Sequence, residues 1–272
     1  MAFSILPVIV IYKCELSNAA SYKSLLKDAY WKEIAVYDNS PQGADTSSWD
    51  KRIIYLSDPS NGGLSKAYNW AAKLAHEKGY SHLLLLDQDT VFPPEAVQAY
   101  KNNLTKGLMF APLVETTKGS NLSPVYIGGW YPKATAMMPQ VYPLNKFQPI
   151  NSGMCVPIDL YQKCGGYNDK VWLDFSDYEF GRRLRKVAEF FMLIDLKVKQ
   201  NYSGEVVNVA QKLRRYKCYI DCAHHCTFDT WYERLRHHYV VLIDTLWHVK
   251  HCKSLEFLKI YILKFLFRST HK

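Results

Sequence analysis

The sequence lacks the features of membrane-spanning, secreted and disordered proteins. No run of about 18 uncharged apolar residues is present, and the start has neither a basic leader nor a small-residue cleavage site. Internal repeats and low-complexity tracts are also missing. With 48% hydrophobic residues in a chain of 272, we expect a globular protein in the cytoplasm.

The cysteine pattern argues against a disulfide scaffold. Seven cysteines, an odd number, are spread along the chain, which favours reduced thiols. One dense group contains plausible zinc ligands, but its spacing does not match a Cys-x2-Cys knuckle and no second pair lies at the usual distance. Buried thiols with a polar histidine pair are therefore favoured over zinc. The residues of this group are Cys218, Cys222, His224, His225 and Cys226.

Positive charge is concentrated at the C-terminal end. Residues 1–210 contain 22 Lys/Arg and 20 Asp/Glu, a net of +2, whereas residues 211–272 contain 12 and 5, a net of +7. The division predicts a near-neutral catalytic or binding domain at 1–210 and a basic, aromatic helical extension at 211–272. Such an extension favours an anionic contact: a membrane surface, nucleic acid or an acidic polymer.

The first 100 residues alternate between strand and helix patterns. Short β-branched runs precede stretches of helical spacing, and residues 64–80 place an apolar stripe on one helix face before Gly79. This alternation predicts an α/β fold with a mostly parallel, Rossmann-like sheet and helices on both faces. The predicted stripe consists of Leu64, Ala67, Tyr68, Ala71 and Leu74.

Polar residues follow three of the predicted strands. Asp38 and Asn39 end one, residues 58–63 follow another, and Asp87 and Asp89 end the run of four leucines. Ligands of such sheets bind at the carboxyl ends of the strands, so these groups should share one edge.

The pair of Asp87 and Asp89 suits Mg²⁺ or Mn²⁺, whose remaining ligands are commonly substrate phosphates and water. A metal-bridged nucleoside diphosphate is the ligand that this edge predicts. Alternatives stay open: Asp38 could cap the turn that follows it, and the aspartate pair could begin a solvated loop or cap a helix.

Six motifs occur in an order that resembles family 2 glycosyltransferases with the GT-A fold. They are VIVIYK, VYDNS, NGGLSKAYNWA, HLLLLDQDT, NSGMCVPIDLYQKCGGYND and VWLDFSDYEFGRRLR. The Asp-Gln-Asp form is similar to the rhamnosyltransferase-like branch, and the resemblance covers about residues 5–205. It implies a metal-dependent inverting hexosyltransferase, with a UDP- or dTDP-sugar as donor and a bacterial surface glycan, lipid-linked or not, as acceptor.

The resemblance also implies roles for individual residues. Asp38 would contact the base of the donor nucleotide, Asp87 would lie near the ribose and the metal, and Asp89 would bind the metal directly. Asp177 would be the catalytic base, although the residues alone also allow a surface carboxylate there. The remaining donor contacts implied are Asn39, Asn61, Gly62 and Gln88. Gln200 stands nearest to the place where relatives have a histidine beside the metal.

The acceptor side is implied by two segments. Glu179 and Arg183 follow Asp177 at the family's spacing and would shape the acceptor end and hold the base. Tyr232 and Arg234, with His237 and His238, stand where relatives begin a helix near the acceptor. Residues 116–140, turn-rich and aromatic, are long enough to close over a donor as a lid.

Residues 254–270 predict an amphipathic helix. Its predicted stripe is Leu255, Leu258, Ile262, Phe265 and Leu266, with Lys253, Lys259, Lys264 and Arg268 elsewhere around the helix. The helix would either lie on an anionic membrane surface, at the inner face of the cell membrane, or pack on the domain or a partner chain.

Two other functions were weighed. A nucleotidyltransferase, or another nucleotide-sugar enzyme on a similar sheet, needs a phosphate-binding glycine-rich loop, and residues 8–20 offer little of one. A nucleic-acid-binding protein should have a basic domain as well as a basic extension, so the near-neutral residues 1–210 argue against a nucleic acid partner.

Overall fold

The computed structural model describes residues 4–200 and 208–267. Its central sheet begins with β1 (Ile5–Ile11), β2 (Ile34–Asp38) and β4 (His82–Asp87), whose apolar residues are buried along almost their whole length. Continuous burial is what strands covered on both faces require, and it explains the unbroken apolar runs in the sequence.

The remaining elements follow in chain order. The other strands are β3 (Ile53–Ser57), β5 (Thr90–Val91), β6 (Phe110–Thr116), β7 (Asn121–Ser123), β8 (Val125–Tyr126), β9 (Lys133–Ala134), β10 (Gln140–Pro143), β11 (Phe147–Gln148), β12 (Cys155–Pro157) and β13 (Phe190–Gln200). The α-helices are α1 (Gly63–Glu77), α2 (Ala96–Lys101), α3 (Ile158–Lys163), α4 (Ser176–Leu184), α5 (Val209–His224), α6 (Trp231–Cys252) and α7 (Glu256–Ile260).

The large sheet is mostly parallel, as predicted. Its order is β10-β13-β6-β12-β4-β1-β2-β3, with β5 paired to β13 and β7 to β6. Strands β4, β1, β2 and β3 are parallel to one another, and β12 is antiparallel to both of its neighbours. A second sheet of three short strands has the order β11-β8-β9.

Helices cover both faces of the large sheet and bury two apolar clusters. The first cluster lies under α1, α3 and α4, and the second lies under α2 and residues 16–31. Within the predicted α1 stripe, Ala67, Tyr68 and Ala71 are fully buried, while Leu64 and Leu74 are partly buried against the same cluster. The prediction for this helix is therefore confirmed.

Residues 18–30, one of the stretches with helical spacing, form a shorter and less regular helical segment than that spacing indicates. The segment contains a 3-10 helix, Leu16–Asn18, and a π-helix, Tyr22–Leu26. Leu25, Leu26 and Trp31 are nevertheless buried in the second cluster, so burial of these side chains, and not regular helical hydrogen bonding, fixes the segment on the sheet.

The C-terminal extension has an apolar core of its own. Helices α5, α6 and α7 enclose a third cluster that includes Tyr216, Ile220, Val241 and Phe257. The extension is joined to the rest of the protein by an ion pair of Arg215 with Asp174 and by other contacts with α4.

The stripe predicted for residues 254–270 is confirmed only in part: Phe265 is buried, and Leu258 and Ile262 pack against the third cluster. Leu255 and Leu266 are 72% and 47% exposed, whereas the buried face consists of Phe257, Ile260, Tyr261 and Phe265. Leu255 is the N-cap residue of α7 and lies outside its buried face. From Tyr261 to Leu266 the chain forms a π-helix, which has more residues per turn than an α-helix, so Leu266 leaves the predicted stripe. Arg268 lies outside the described residues.

No helix within residues 4–200 and 208–267 is long and apolar enough to cross a membrane.

Candidate active site

The ends of three parallel strands form one edge, as predicted. Asp38 at the end of β2 pairs with Ile11 of β1 on one side and with Ser57 of β3 on the other. Asp87 at the end of β4 pairs with Val10 of β1. The sheet register therefore brings the Asp38 and Asp87 groups to the same side of the protein.

Asp38 and Asn39 are almost fully buried at this edge. The Asp38 carboxylate accepts hydrogen bonds from the Ser40 backbone N–H at 2.8 Å and from the Tyr55 hydroxyl at 2.9 Å. The Asn39 amide oxygen accepts one from the Gly63 N–H at 3.2 Å. Asp38 thus has the turn-capping contact that the residues alone allow, on a side chain that also lies at the strand edge.

Asp58 organises the loop between β3 and α1. The sequence alone indicates this residue only as part of the range 58–63. Its carboxylate accepts hydrogen bonds from the Tyr37 hydroxyl at 2.6 Å, the Lys66 ammonium at 3.0 Å and the Gly62 N–H at 3.2 Å. Burial raises the pKa of Asp58, but the bonds from Ser60, Tyr37 and Lys66 outweigh it and hold the pKa below the ordinary value.

The same loop has two residues with positive φ. Asn61 has φ 54° and Gly63 has φ 83°, a region that favours glycine and, less strongly, asparagine. At Gly63 a Cβ atom would overlap the carbonyl oxygen of Trp172, whose oxygen accepts a hydrogen bond from the Leu64 N–H at 2.7 Å. The loop must therefore have glycine there to let α1 approach residues 171–175.

Asp87 is held by three side chains. Its carboxylate accepts hydrogen bonds from the Tyr68 hydroxyl at 3.2 Å, from the Ser152 hydroxyl, and from the Gln200 amide at 3.3 Å. Tyr68 was expected only as a core residue of α1, and Ser152 belongs to the NSG motif. Neither can be assigned to this carboxylate without knowing how the strands pair.

Gln200 also joins Asp87 to Asp89. Its amide nitrogen donates to an Asp89 oxygen at 3.3 Å as well as to Asp87, while its amide oxygen accepts from Ser152 at 3.0 Å. The residue matched to the position beside the metal thus lies at the aspartate pair. Gln88, between the two, accepts a hydrogen bond from the Tyr12 N–H at 2.9 Å, so its side chain faces β1.

The two aspartates have raised pKa values. Burial raises the pKa of Asp87, against the hydrogen bonds that it receives. Burial and then the charge of Asp87 raise the pKa of Asp89 to about 6. Two neighbouring carboxylates whose pKa values are raised in this way are stabilised by a cation.

The residues fit a divalent metal. Mg²⁺ and Mn²⁺ take oxygen ligands and are commonly bound by one or two carboxylates, completed by substrate phosphates and water. Asp87 and Asp89 provide two such carboxylates. No cluster of three or more His, Cys, Asp or Glu that could hold a metal occurs in the part of the chain that the structure describes.

Asp177 lies in the first turn of α4, after Phe175 with φ 61°. Its side chain accepts a hydrogen bond from the Tyr178 N–H at 2.8 Å. Burial is the largest cause that raises its pKa to about 6, and the negative charges of Asp87 and Asp174 add to it.

A turn between β11 and β12 connects the aspartate at the end of β4 to the one at the start of α4. Ser152 donates to Asp87, and the neighbouring Asn151 amide contacts the Ser176 hydroxyl at the start of α4 at 3.4 Å. Asn151 also accepts a hydrogen bond from Tyr167 at 2.6 Å. Both ends of the site are thus fixed to one short turn.

Glu179 and Arg183 do not contact Asp177 in any described interaction. Glu179 accepts from the Thr227 hydroxyl at 2.6 Å and pairs with Arg182 at 3.2 Å. Arg183 donates to the carbonyls of Gly165 and Gly166 at 3.3 and 3.2 Å. Arg183 also lies 3.5 Å from the Glu179 carboxylate. That the two residues shape the acceptor end and hold the base stays a prediction.

A cavity of about 550 Å³ lies between α4, residues 122–134 and the C-terminal helices. Tyr178, next to Asp177, lines it, and so does Glu179. Its apolar walls include Leu122, Val125, Ile127, Phe228 and Val240. Residues 116–140, predicted as a lid, thus provide one wall; whether they move is untested and stays a prediction.

The side chains in the first turns of α6, near the cavity, make contacts that differ from the expectation. Tyr232 packs its ring 5.7 Å from that of Trp130, and His237 lines the cavity while it bonds to the Ala223 carbonyl at 2.9 Å. Arg234 is exposed and does not line the cavity, and His238 packs on Phe265. The arginines that do line it are Arg182, Arg185 and Arg236, which sequence reasoning missed.

The cysteine and histidine group lies at the end of α5. Cys226 contacts the Cys222 carbonyl at 3.6 Å, and His225 bonds to the Asp221 carbonyl at 2.8 Å. Burial raises the pKa of the Cys222 thiol to about 11 and that of Cys226 as well. These thiols are held in the protonated form.

Comparisons with known proteins agree with this geometry. The family model for glycosyl transferase family 2 matches residues 8–134, somewhat less than half of the chain. That match contains the Asp38, Asn61 and Asp87 groups. No curated protein matches the sequence.

Three solved structures are similar in fold. GalNAc-T7 with UDP, GalNAc and Mn²⁺ has a TM-score of 0.55 at 13% identity, covering 74% of this chain and 44% of its own. TarS of S. aureus has 0.53 at 12%, covering 96% and 44%. The mannosyltransferase PcManGT from Pyrobaculum calidifontis, in complex with GDP-Man and Mn²⁺, has 0.51 at 12%, covering 80% and 62%.

The chain thus spans less than two thirds of each of these three proteins, and at such identities the likeness shows the fold. The fold is that of GT-A glycosyltransferases, and together with the family match it supports a glycosyltransferase.

Proposed function

We propose that this protein is a metal-dependent inverting glycosyltransferase, which moves a sugar from a UDP- or dTDP-type donor to a glycan acceptor. One observation supports the proposal most strongly: a single turn at 151–152 contacts both ends of the site, because Ser152 donates to Asp87 and the Asn151 amide donates to the Ser176 hydroxyl beside Asp177. A transferase needs this arrangement, since donor and acceptor groups must meet at one carbon.

The donor nucleotide binds along the strand edge. Asp38 and Asn39 face the base, and Asn61, Gly62 and Gln88 are the remaining donor contacts proposed from the resemblance. Gly62 and Gln88 already have hydrogen-bond partners within the protein. Only those of their polar atoms that make no described hydrogen bond are therefore available to the donor nucleotide.

Asp87 and Asp89 hold the metal, with Gln200 beside them. When bound, Mn²⁺ or Mg²⁺ neutralises charge that grows on the nucleoside diphosphate as the sugar leaves. A carboxylate must be ionised to bind it, and a pKa of about 6 leaves Asp89 ionised at neutral pH. Tyr68 and Ser152 orient Asp87 by donating hydrogen bonds to it.

Asp177 is the general base. It takes the proton from the acceptor hydroxyl as that oxygen attacks the anomeric carbon from the face opposite to the leaving group, so configuration inverts. A pKa near 6 suits this role, because the group is ionised at neutral pH and still basic enough to accept a proton.

The acceptor occupies the cavity beside α4. Tyr178, Glu179 and His237 line its wall, and Tyr232 with Trp130 forms an aromatic surface at its outer side suited to a sugar ring. Rhamnose as the donor sugar and a bacterial surface glycan as the acceptor are proposals from the family resemblance. The boundary near residue 210 between the catalytic domain and the extension is likewise a proposal.

The extension lies on the cytoplasmic face of an anionic membrane in this proposal. The extension combines a net positive charge with exposed apolar residues, among them Trp231, Leu235 and Trp247. This combination favours binding to an anionic membrane surface. Sedimentation with liposomes tests this: the protein should pellet with anionic vesicles at low salt, and failure to pellet would remove the membrane from the account.

The activity is tested by release of nucleoside diphosphate from a panel of UDP- and dTDP-sugars, with Mn²⁺, Mg²⁺ or EDTA. We expect release from one donor class only with metal. The Asp89→Ala variant should be inactive, and Asp195→Ala, an exposed carboxylate of β13, should match the wild type. Proton NMR of the product's anomeric centre then tests inversion, and retained configuration would contradict it.

A further inference from the structure

Arg185 and Arg236 are charged side chains without an ion pair in the described structure. Arg185 donates to the Gln148 amide oxygen at 2.8 Å, and Arg236 donates to the Ile127 carbonyl at 2.7 Å. The Nε atom of Arg236 is buried and has no hydrogen-bond partner. A buried guanidinium with an unused donor is costly unless a ligand completes its bonds.

The carboxylates around the cavity already have partners. Glu179 pairs with Arg182 at 3.2 Å, and Asp244 lies 3.6 Å from His248. Glu233 accepts the backbone N–H of Asp229 at 2.9 Å, and Asp229 pairs with Arg182 at 2.8 Å. None of these anions forms a described ion pair with Arg185 or Arg236, although the charges of Glu233 and Asp229 do act on Arg185.

The two guanidinium groups affect each other. Burial is the main cause that lowers the pKa of Arg185, the Glu233 charge opposes it, and the positive charges of Arg182 and Arg236 lower it further. Because both groups stay protonated at neutral pH, their repulsion persists in the ligand-free protein. An anion between them would relieve it.

The pair lies close to the proposed base. The Gln148 amide that accepts from Arg185 donates at its other end to the backbone carbonyl of Asp177, at 2.9 Å. An anion at Arg185 is therefore connected through one side chain to the residue that would deprotonate the acceptor. The cavity, of about 550 Å³, has room for an anionic group together with a sugar.

We propose that the acceptor has a phosphate ester and that Arg185 and Arg236 bind it in this cavity, an inference that rests on the proposed glycosyl transfer. Guanidinium groups bind phosphate through paired, charge-assisted hydrogen bonds. Two cations without ion pairs match the two negative charges of a phosphate monoester dianion and can also bind the single charge of a diester. The apolar and aromatic wall accepts the part of the acceptor that is not charged.

Calorimetric titration with glycerol 3-phosphate, in EDTA and without a nucleotide, tests the site separately from transfer. We expect binding by the wild type, no binding of glycerol, and binding about 10- to 100-fold weaker in Arg185→Gln and Arg236→Gln. Arg214→Gln, an exposed arginine of α5, should bind as the wild type does. Arg185→Lys keeps the charge and should recover part of the affinity if the Gln variant folds poorly.

The inference is overturned if the wild type binds glycerol 3-phosphate no better than glycerol, or if both Gln variants bind it unchanged. Titration of UDP and of dTDP, each with Mn²⁺, into the same samples separates the two proposals. Nucleotide binding without phosphate-ester binding would refute only the charged acceptor, and the reverse would refute the glycosyltransferase and leave the anion site.

The phosphate could belong to a lipid diphosphate or to a phosphodiester within a glycan. Farnesyl diphosphate in detergent and glycerophosphoglycerol represent the two sources. Tighter binding of one of them by the wild type, lost in Arg236→Gln, supports the proposal and assigns the source. Equal and arginine-independent binding of both would contradict it.

Discussion

The raised pKa of Asp89 predicts that removing its charge stabilises the metal-free protein. Its pKa rises from 3.8 to about 6, and a shift of about 2 units corresponds to about 3 kcal/mol at neutral pH. Because Asp89 is partly exposed, solvent screening reduces the expected gain for Asp89→Asn to about 1–2 kcal/mol. At about 2–4 °C per kcal/mol for a chain of this size, the Tm should rise by about 2–8 °C.

The pH dependence identifies the cause. A carboxyl whose pKa is raised by folding binds more protons in the folded state, so the wild type loses stability as the pH rises from about 4 through 6. Asparagine does not titrate. The Tm difference in EDTA should therefore be absent near pH 4 and complete above about pH 7.

Mn²⁺ should reverse the order, since it stabilises only the protein that has both carboxylates. Thermal unfolding by circular dichroism measures all of these differences, with Asp195→Asn, an exposed aspartate of β13, as the control that should show no change. A lower or unchanged Tm for Asp89→Asn at pH 7.5 in EDTA would refute the reasoning.

Three further predictions follow from other parts of the structure. Asp177→Asn should keep its affinity for the donor nucleotide in calorimetry but lose about 10²–10⁴-fold in transfer rate. The wild-type kcat/KM should rise with pH through about 6, where Asp177 ionises. A pH-independent kcat/KM would contradict the role of Asp177 as the base. Gly63→Ala should cost about 3 kcal/mol or more in urea unfolding, whereas Gly79→Ala, also at positive φ but with open space around it, should cost about 1 kcal/mol; equal losses would argue against the contact with Trp172. Glu179→Gln should cost about 3 kcal/mol because it breaks a buried ion pair, against about 0.5 kcal/mol or less for Glu77→Gln in an exposed pair.

The strand-edge residues were predictable because their positions follow from sheet geometry. A parallel strand that is buried on both faces reads as an apolar run, and the residue after it must lie at the carboxyl edge. Asp38 and Asp87 are therefore located by the sequence. Their partners Tyr68 and Ser152 are distant in sequence, and only the strand pairing brings them together.

The acceptor side was less predictable because it depends on how the extension packs. Arg234 and Arg236 are two residues apart on α6 and so point in nearly opposite directions. No local pattern indicates which of them faces residues 122–134. The structure shows that Arg236 does, by its bond to the Ile127 carbonyl, and a packing contact between distant segments decided that outcome.

The apolar stripe of residues 254–270 failed in part, for a different reason. The pattern assumed a helix of 3.6 residues per turn to the end of the segment, whereas the chain becomes a π-helix at Tyr261. Because a π-helix has more residues per turn, the side chains after Tyr261 lie less far around the axis than the pattern assumed, and Leu266 is exposed.

Calorimetric titration of the nucleoside diphosphates UDP and dTDP, each with Mn²⁺ and with EDTA, tests the central claim most directly. The account predicts that at least one of them binds the wild type in the presence of Mn²⁺, and that EDTA or Asp89→Asn weakens this binding at least about tenfold while Asp195→Asn does not. Binding of neither nucleotide, or binding that ignores both the metal and Asp89, would contradict a metal-dependent donor site at this edge of the sheet.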